Sequence, residues 1–235
     1  MTPTKKKPED DLDLSVASSK TEGPTGERLN EWAPHLTPDQ IKACKVYLSE
    51  LLRFNKRLNL ISSATVPKAD AVHILDAVRA WKLIEPLIPS GSVVYDFGTG
   101  NGLPGLLSAA LSPDRQFRLV DRDQRKMEFC KHLGATLKLT NVSYLCMDLK
   151  DVPDSSVQFA ISRGFASVSS SMLFARRQFA VGGRFFMLKG EGWSRELAEV
   201  QPQLFSFWRA EMIGQYSLPD SVAEYVVIAA EKISV

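Results

Sequence analysis

Long apolar runs are missing from this chain: nothing in its 235 residues approaches about 18 uninterrupted apolar positions, so no segment reads as a membrane-spanning helix. Cysteine is scarce too. Cys44, Cys130 and Cys146 are an odd number with no C-x-x-C spacing and no companion histidines, which argues against a disulfide framework or a zinc site and leaves them as reduced core thiols. The N-terminus has Lys5, Lys6 and Lys7 but then turns acidic at Glu9, Asp10 and Asp11, without the apolar stretch of a secretion signal, so a cytoplasmic address is expected. Net charge is small: a formal +2 with a pI near 8.4 permits a nucleic-acid partner without pointing to one. There is no internal repeat and no second block of strand and helix patterns, so one core is expected.

Residues 1–27 are mostly Lys, Asp, Glu, Ser, Thr, Pro and Gly and cannot bury enough apolar surface to offset the entropy of ordering, which predicts a disordered tail. Order is expected to begin near Leu29 and Trp32. Thr37-Pro38-Asp39-Gln40 spells a helix start, with a capping threonine, proline at the first position and glutamine three on. Ile41, Cys44, Leu48, Leu51, Asn55 and Leu58 then fall on one helical stripe. A second helix is predicted over 67–84, stopped by Pro86 and Pro89. Residues 28–90 thus read as an N-terminal helical extension.

From residue 91 to the C-terminus the pattern changes to short β-rich runs at 92–97, 116–121, 142–147, 157–162 and 184–188. They alternate with helical stretches at 103–111, 124–139 and 169–179, and such alternation means a parallel sheet. Two last runs, 210–217 and 224–229, have no long helix between them and a turn signal at Pro219-Asp220, so they read as a hairpin closing the sheet.

The richest segment is 96–105, Asp-Phe-Gly-Thr-Gly-Asn-Gly-Leu-Pro-Gly, directly after the first strand. Its glycines let the backbone turn sharply and a ligand touch it, and the following helix points free N–H groups at the loop. Gly100-x-Gly102-x-x-Gly105 satisfies the dinucleotide fingerprint, weak evidence when it stands alone. Asp96 with Gly98, Gly100 and Gly102 also resembles the D/E-x-G-x-G-x-G motif of class I methyltransferases, whose loop touches the methionine part of their cofactor. Asp121 ends the second strand, where a carboxylate can accept both ribose hydroxyls of either cofactor. A single glycine would suggest only a tight turn; several between two strand-end acids favour a ligand. The dinucleotide reading lacks a second constellation for hydride transfer.

Several segments then add up: Asn59-Leu60-Ile61-Ser62, His73-Ile74-Leu75-Asp76, the loop at 96–105, Ile161-Ser162-Arg163-Gly164-Phe165-Ala166 and Leu188-Lys189-Gly190, in that order. Together they resemble the bacterial small-subunit ribosomal RNA guanine-N7 methyltransferases (RsmG, also called GidB), from about residue 38 to the C-terminus. The resemblance implies a class I, Rossmann-like α/β fold, with a mostly parallel sheet, an antiparallel C-terminal hairpin and the N-terminal helical extension. It implies S-adenosylmethionine as cofactor, and methylation of N7 of one guanine in the 530 loop of 16S ribosomal RNA. The partner would be that RNA or the small subunit, with no membrane, no metal and a monomeric enzyme. Asp96, Gly98, Thr99, Gly100, Gly102, Leu103, Asp121, Asp148, Leu149 and Arg163 would hold the cofactor. Asn59, His73, Arg125, Lys126, Arg163 and Lys189 would meet RNA, and Arg163 and Lys189 would be the catalytic pair.

Guanine N7 carries an in-plane lone pair, so its methylation needs no proton removed, and positioning alone supplies about 7–11 kcal/mol in well-oriented systems. In keeping with this, residues 159–166 contain neither the N/D-P-P-aromatic tetrad used on exocyclic amines nor the Pro-Cys nucleophile used on cytosine C5; Arg163 stands there. Its guanidinium is expected to donate to guanine O6 alone, because a clasp on O6 and N7 would occupy the attacking lone pair. Plainer roles stay open: an ion pair for Arg163, a solvated strand end for Lys189, helix packing for His73 and Asp76, a helix end for Asn59.

The chain departs from the family pattern twice. Asp121-Arg122-Asp123-Gln124-Arg125-Lys126 reverses a Lys-Arg pair, and Asp148-Leu149-Lys150 replaces Arg-x-Glu. Arg122, Arg125, Lys126, Lys131, Arg163, Arg176, Arg177, Lys189 and Arg195 supply basic surface, many of them near the predicted C-terminal strand ends, where RNA phosphates would meet them. The competing readings are a methyltransferase for a small-molecule or protein acceptor, and a noncatalytic RNA-binding protein that retains the cofactor fold.

Overall fold

The computed structural model describes residues 23–219 and 221–235; positions 1–22, most of the expected tail, and Asp220 of the expected turn lie outside the described residues. A short helix, α1 (Leu29–Trp32), leads to α2 (Pro38–Leu58). The start of α2 is the capping box written in the sequence: Thr37 Oγ1 accepts from the Gln40 amide at 3.3 Å and the Gln40 side chain accepts from the Thr37 amide at 2.9 Å. Asn59 ends it in the left-handed region at φ 49°.

The helix expected over 67–84 is instead broken into a 3-10 turn (Ser63–Lys68), a π turn (Asp70–Leu75) and α3 (Asp76–Ile84). Side chains account for the break. Asp70, fully buried, receives the Arg28 guanidinium at 2.8 and 3.0 Å, while Arg163 reaches the carbonyls of Val72 and His73 at 3.3 and 3.5 Å. Groups that insert into the i→i−4 ladder displace it locally.

The strands are β1 (Val93–Phe97), β2 (Gln116–Asp121), β3 (Val142–Cys146), β4 (Val157–Arg163), β5 (Phe179–Lys189), β6 (Trp208–Tyr216) and β7 (Tyr225–Lys232), in the order β3-β2-β1-β4-β5-β7-β6. β1 to β5 pair in parallel, and β7 is antiparallel to both β5 and β6, so the C-terminal pair closes the sheet as expected, with the later strand on the inside. Helices α4 (Gly105–Leu111), α5 (Gln124–Thr136) and α6 (Val168–Phe174) follow β1, β2 and β4, and α7 (Trp193–Ala198) follows β5.

Alternation along the strands builds two cores. Val94, Ile161, Phe186, Leu188, Val227 and Ala229 face the layer of α2, α3, α4 and α5, so the N-terminal helices share one apolar cluster with the helices of the sheet. Phe97, Ala160, Phe185, Met187 and Ile228 face α6 and the segment around Val200 and Leu204. Gly214 lets α3 close on the sheet edge, since a Cβ there would stand 2.9 Å from Leu83.

Two further expectations are corrected. The helix predicted to Phe179 stops at Phe174, because Phe179 is already the first residue of β5, buried between Phe185 and Trp208 with ring centroids 5.5 and 5.1 Å away. Cys44 and Cys130 are buried thiols, but Cys146, at the end of the edge strand β3, is exposed. Neither α7 nor the 3-10 turn Pro202–Ser206 was expected. Among the described residues no helix is long and apolar enough to cross a membrane.

Candidate active site

The turn between β1 and α4 is held from four sides. Asp96, wholly buried, accepts through Oδ2 from the Thr99 hydroxyl at 2.6 Å and the Gly105 amide at 3.0 Å. Asp121 Oδ2 accepts from the Gly100 amide at 2.8 Å, and Tyr47 donates to the Asn101 carbonyl at 2.7 Å. Asn101 donates in turn to the Leu60 carbonyl at 3.2 Å. Gly98, Gly100 and Gly102 have φ of 65°, 54° and 87°, where side chains are disfavoured. Gly105 is required for closeness: a Cβ would stand 2.6 Å from the Asp96 carboxylate. Burial pushes the Asp96 carboxyl up to about 6 despite its two donors, and Oδ1 has no partner among the described residues.

A cavity of about 640 Å³ opens beside this turn at the C-terminal ends of β1, β2 and β3, lined by Gly98, Asp121, Met147, Asp148, Leu149 and Phe165 among others. That volume suits a small ligand or cofactor, and the position is where open α/β sheets bind them. Asp121 Oδ1 also accepts from the Asp123 amide at 2.9 Å. Each of its oxygens thus holds one backbone donor and keeps a second lone pair for a hydroxyl. Asp148 caps the turn at Leu149–Asp151 through the Lys150 amide at 3.2 Å, which brings the backbone of Asp148 and Leu149 to the rim. Met147, Val120 and Leu149 supply apolar wall between the carboxylates, so acceptors for hydroxyls flank an apolar slot, an arrangement matched to a nucleoside.

A second cavity, about 550 Å³, is lined by Asp76, Arg163, Ala166, Lys189, Glu196 and Tyr225, and shares Gly164 with the first. Arg163 is gripped by the broken helix: Nη1 donates to Asp76 Oδ2 at 2.7 Å and Nη2 to His73 Nδ1 at 2.5 Å. Burial, with the Arg163 cation beside it, pushes His73 down to about 3, so the imidazole is neutral. Its Nδ1 accepts from Arg163, which leaves the ring proton on Nε2 to donate to Thr65 Oγ1 at 2.9 Å. Tyr216 donates to the other Asp76 oxygen at 2.7 Å. Arg163 Nε and one Nη2 hydrogen have no partner among the described residues. Lys189 Nζ donates to the Ala166 carbonyl at 2.5 Å and to Glu196 Oε2 at 2.7 Å, and Glu196 also accepts from the Val168 amide at 3.0 Å. Lys189 therefore ties β5, α7 and the segment after β4 together at the cavity edge.

Thr99 and Leu103 are buried and shape the turn from within. Lys126 lines the first cavity, and Arg125 stands beside it on the first turn of α5. Asn59 is the exposed left-handed residue ending α2. Arg176 and Arg177 lie before β5, at the opposite end of the sheet from Arg163. Sequence reasoning assigned no part to Phe165, Phe174 or Glu196. The Phe165 ring lies on Gly98, where a Cβ would approach it to 2.6 Å, and meets Phe174 edge-on at 6.4 Å. Phe174 is 56% exposed, an aromatic left at the mouth of a cavity. A Leu-Phe pair at the end of a short helix was the available signal.

A family model described as rRNA small subunit methyltransferase G (GidB) matches residues 40–213. A protein of Bdellovibrio bacteriovorus named Ribosomal RNA small subunit methyltransferase G 3 is 40% identical over 207 residues, covering 88% of this chain and 94% of that one. The Desulfotalea psychrophila protein named Ribosomal RNA small subunit methyltransferase G is 31% identical over 189 residues, covering 77% and 85%. Among solved structures, the tRNA (m1A58) methyltransferase TrmI of Aquifex aeolicus superposes with a TM-score of 0.52 at 14% identity, over 68% of this chain and 69% of that one. At that identity the likeness is one of fold.

Proposed function

The chain belongs to the rRNA small subunit methyltransferase G family, and on that footing we propose that it methylates N7 of a guanine in the 530 loop of 16S ribosomal RNA, with S-adenosylmethionine as donor. The observation that carries this reading is the shared wall at Gly164, which sets a nucleoside-sized cavity against one lined by Arg163 and Lys189. Bound S-adenosylmethionine supplies an electrophilic methyl on a sulfonium.

In this reading Asp121 accepts from ribose hydroxyls with the lone pairs left by Gly100 and Asp123, and the backbone near Asp148 and Leu149 meets the adenine edge. Gly98 to Gly102 receive the amino-acid end against bare backbone, with Phe165 shifting off Gly98 to admit it. Asp96, Thr99 and Leu103 act from inside by holding the turn. On the acceptor side Arg163 presents its Nε and remaining Nη2 hydrogen, fixed in orientation by Asp76 and by neutral His73. It donates to guanine O6 and leaves N7 bare. No general base is called for, and Lys189 holds the wall of the acceptor cavity in place. Arg125 and Lys126 meet RNA phosphate at the rim, and Asn59 lies at the edge of the RNA footprint. Residues 91–235 form the catalytic unit and 28–90 its helical extension, acting as a cytoplasmic monomer.

The test is to incubate the purified protein with methyl-labelled S-adenosylmethionine and small-subunit RNA, naked and within subunits, and to map the label to base and atom. Label on N7 of one guanine in the 530 loop is expected. Label on a different base or atom, or none on any form despite cofactor binding, would sink the proposal.

A further inference from the structure

At the far end of the sheet lies a cavity of about 330 Å³ whose lining includes Ser155, Arg176, Arg177, Phe207 and Lys232 together with Asp154 and Val235. Its position is unusual for a ligand site, because open α/β sheets bind at the C-terminal ends of their parallel strands. Leu188, opposite Arg163 in β4, pairs with Val227; Lys232 lies five residues further along β7, about 17 Å at a strand's rise per residue.

Lys232 is 2% exposed, yet it forms no ion pair and no side-chain hydrogen bond among the described residues. Its ammonium faces two rings instead, with Nζ 5.0 Å from the centroid of Phe207 and 5.5 Å from that of Trp208. Arg176 covers the same Phe207 at 4.6 Å and also has no carboxylate partner among the described residues. The third cation, Arg177, is answered by Asp154 at 2.7 and 3.2 Å, the acid that lines the cavity. Burial, and then the neighbouring Arg176, push Lys232 below its ordinary value, the direction given by a cation without a counter-charge. A lysine is almost never this buried unless it is paired. Two cations that converge on one cavity with their aromatic faces already satisfied leave their N–H groups for an acceptor-rich anion.

We propose that the pocket formed by Lys232, Arg176 and the Ser155 turn is a binding site for a phosphate group. The group has two sources, a backbone phosphate of RNA reaching past the methylation site, or a free phosphate. Ser155 adds a hydroxyl on a left-handed turn at φ 54°, held there by its amide donating to the Arg177 carbonyl at 2.8 Å.

Lys232→Met is the test, because an apolar chain of similar length in this buried place is expected to keep or raise Tm and so separates binding from folding. The full chain, the variant and Arg176→Gln are compared for the Tm rise given by inorganic phosphate and for affinity toward a labelled 16S RNA fragment across a salt series. If RNA is the source, both variants bind the fragment about tenfold more weakly and the salt slope falls by about one. If free phosphate is the source, the Tm rise of the parent protein disappears in both variants while RNA affinity is unchanged. A Lys232→Met protein with the parent's response to both probes overturns the proposal. S-adenosylmethionine binding, measured on the same preparations, is expected to be unaltered; its absence in the parent would count against the methyltransferase reading and leave the phosphate arm standing.

Discussion

On one side of Gly164 the site is built around a glycine turn whose amides are held by carboxylates; on the other it is built around charged side chains, Asp76 with Arg163 and Lys189 with Glu196, that hold one another. Asp96 and Asp121 are spent on the Thr99 hydroxyl and on the amides of Gly100, Gly105 and Asp123. Arg163 and Lys189 are spent on Asp76, His73, Glu196 and carbonyls. A site shaped by backbone tolerates no added carbon, and a site shaped by ion pairs tolerates no lost charge. The two halves should therefore fail under different substitutions.

The largest effect is expected from Arg163→Met. It leaves the Asp76 carboxylate, 7% exposed, without its cation, and breaking a buried pair of this kind costs about 3–5 kcal/mol. Methyl transfer should fall by about a hundredfold or more, the scale at which misplacement of a reactant is felt. Asp76→Asn sharpens the reading: it frees Arg163 while retaining it, so denaturation should report a similar loss and single-turnover transfer a smaller one. Equal loss of transfer in both would make Arg163 a structural ion and not a contact to RNA.

The two halves also titrate in opposite senses. His73 falls from 6.5 to about 3 on folding, so its contribution to stability is complete above pH 6.5 and is lost as the pH drops toward 3. Asp96 rises from 3.8 to about 6, so its contribution is complete below pH 3.8 and is lost as the pH rises through 6. Between about pH 6 and 4 the two nearly cancel. Asp96→Asn should make stability fall more steeply than in the parent on acidification, by about 1.4 kcal/mol per pH unit, and His73→Gln should change the slope by as much in the other direction. Urea midpoints read at pH 4, 5 and 6 give both slopes; two variants parallel to the parent would remove the distinction.

Gly105→Ala attacks the backbone-built half. The new carbon would stand 2.6 Å from the Asp96 carboxylate and 2.8 Å from Leu119, both buried, and overpacking of this kind costs about 1–3 kcal/mol. Calorimetry should show S-adenosylmethionine binding lost while the pH slope set by His73 is kept. Retained cofactor affinity would mean the turn can move without penalty.

The backbone-built half was the more legible in sequence because its residues are local. Asp96 and the glycines lie within ten positions, and Asp121 ends the next strand, so spacing alone brought them together. The strand alternation likewise reported the parallel sheet, and Thr37 to Gln40 the start of α2. The ion-paired half joins residues that spacing does not relate: Arg163 meets Asp76 across 87 positions, and Tyr216 meets the same acid across 140. The break in the helix over 67–84 was hidden for that reason, since the guanidiniums that cause it come from Arg28 and Arg163. Phe165 escaped notice as a wall because it reads as an ordinary apolar residue until Gly98 is seen beneath it.

Tyr216→Phe is the gentlest test of the comparison, and it asks whether the acceptor half is set by its ion pair alone. The phenol donates to Asp76 at 2.7 Å, and its ring stacks on Tyr225 at 5.8 Å between centroids. Phenylalanine keeps the stack and removes one hydrogen bond, for a loss of about 1 kcal/mol, slightly more if the carboxylate feels the missing donor. Arg163 would still hold the other oxygen, so transfer should drop only a few-fold and S-adenosylmethionine affinity should not move. If transfer instead collapsed as far as in Arg163→Met, the orientation of Asp76 would depend on β6. The C-terminal strand pair, which lends the acceptor cavity Tyr225 as wall, would then also be the element that aims the guanidinium.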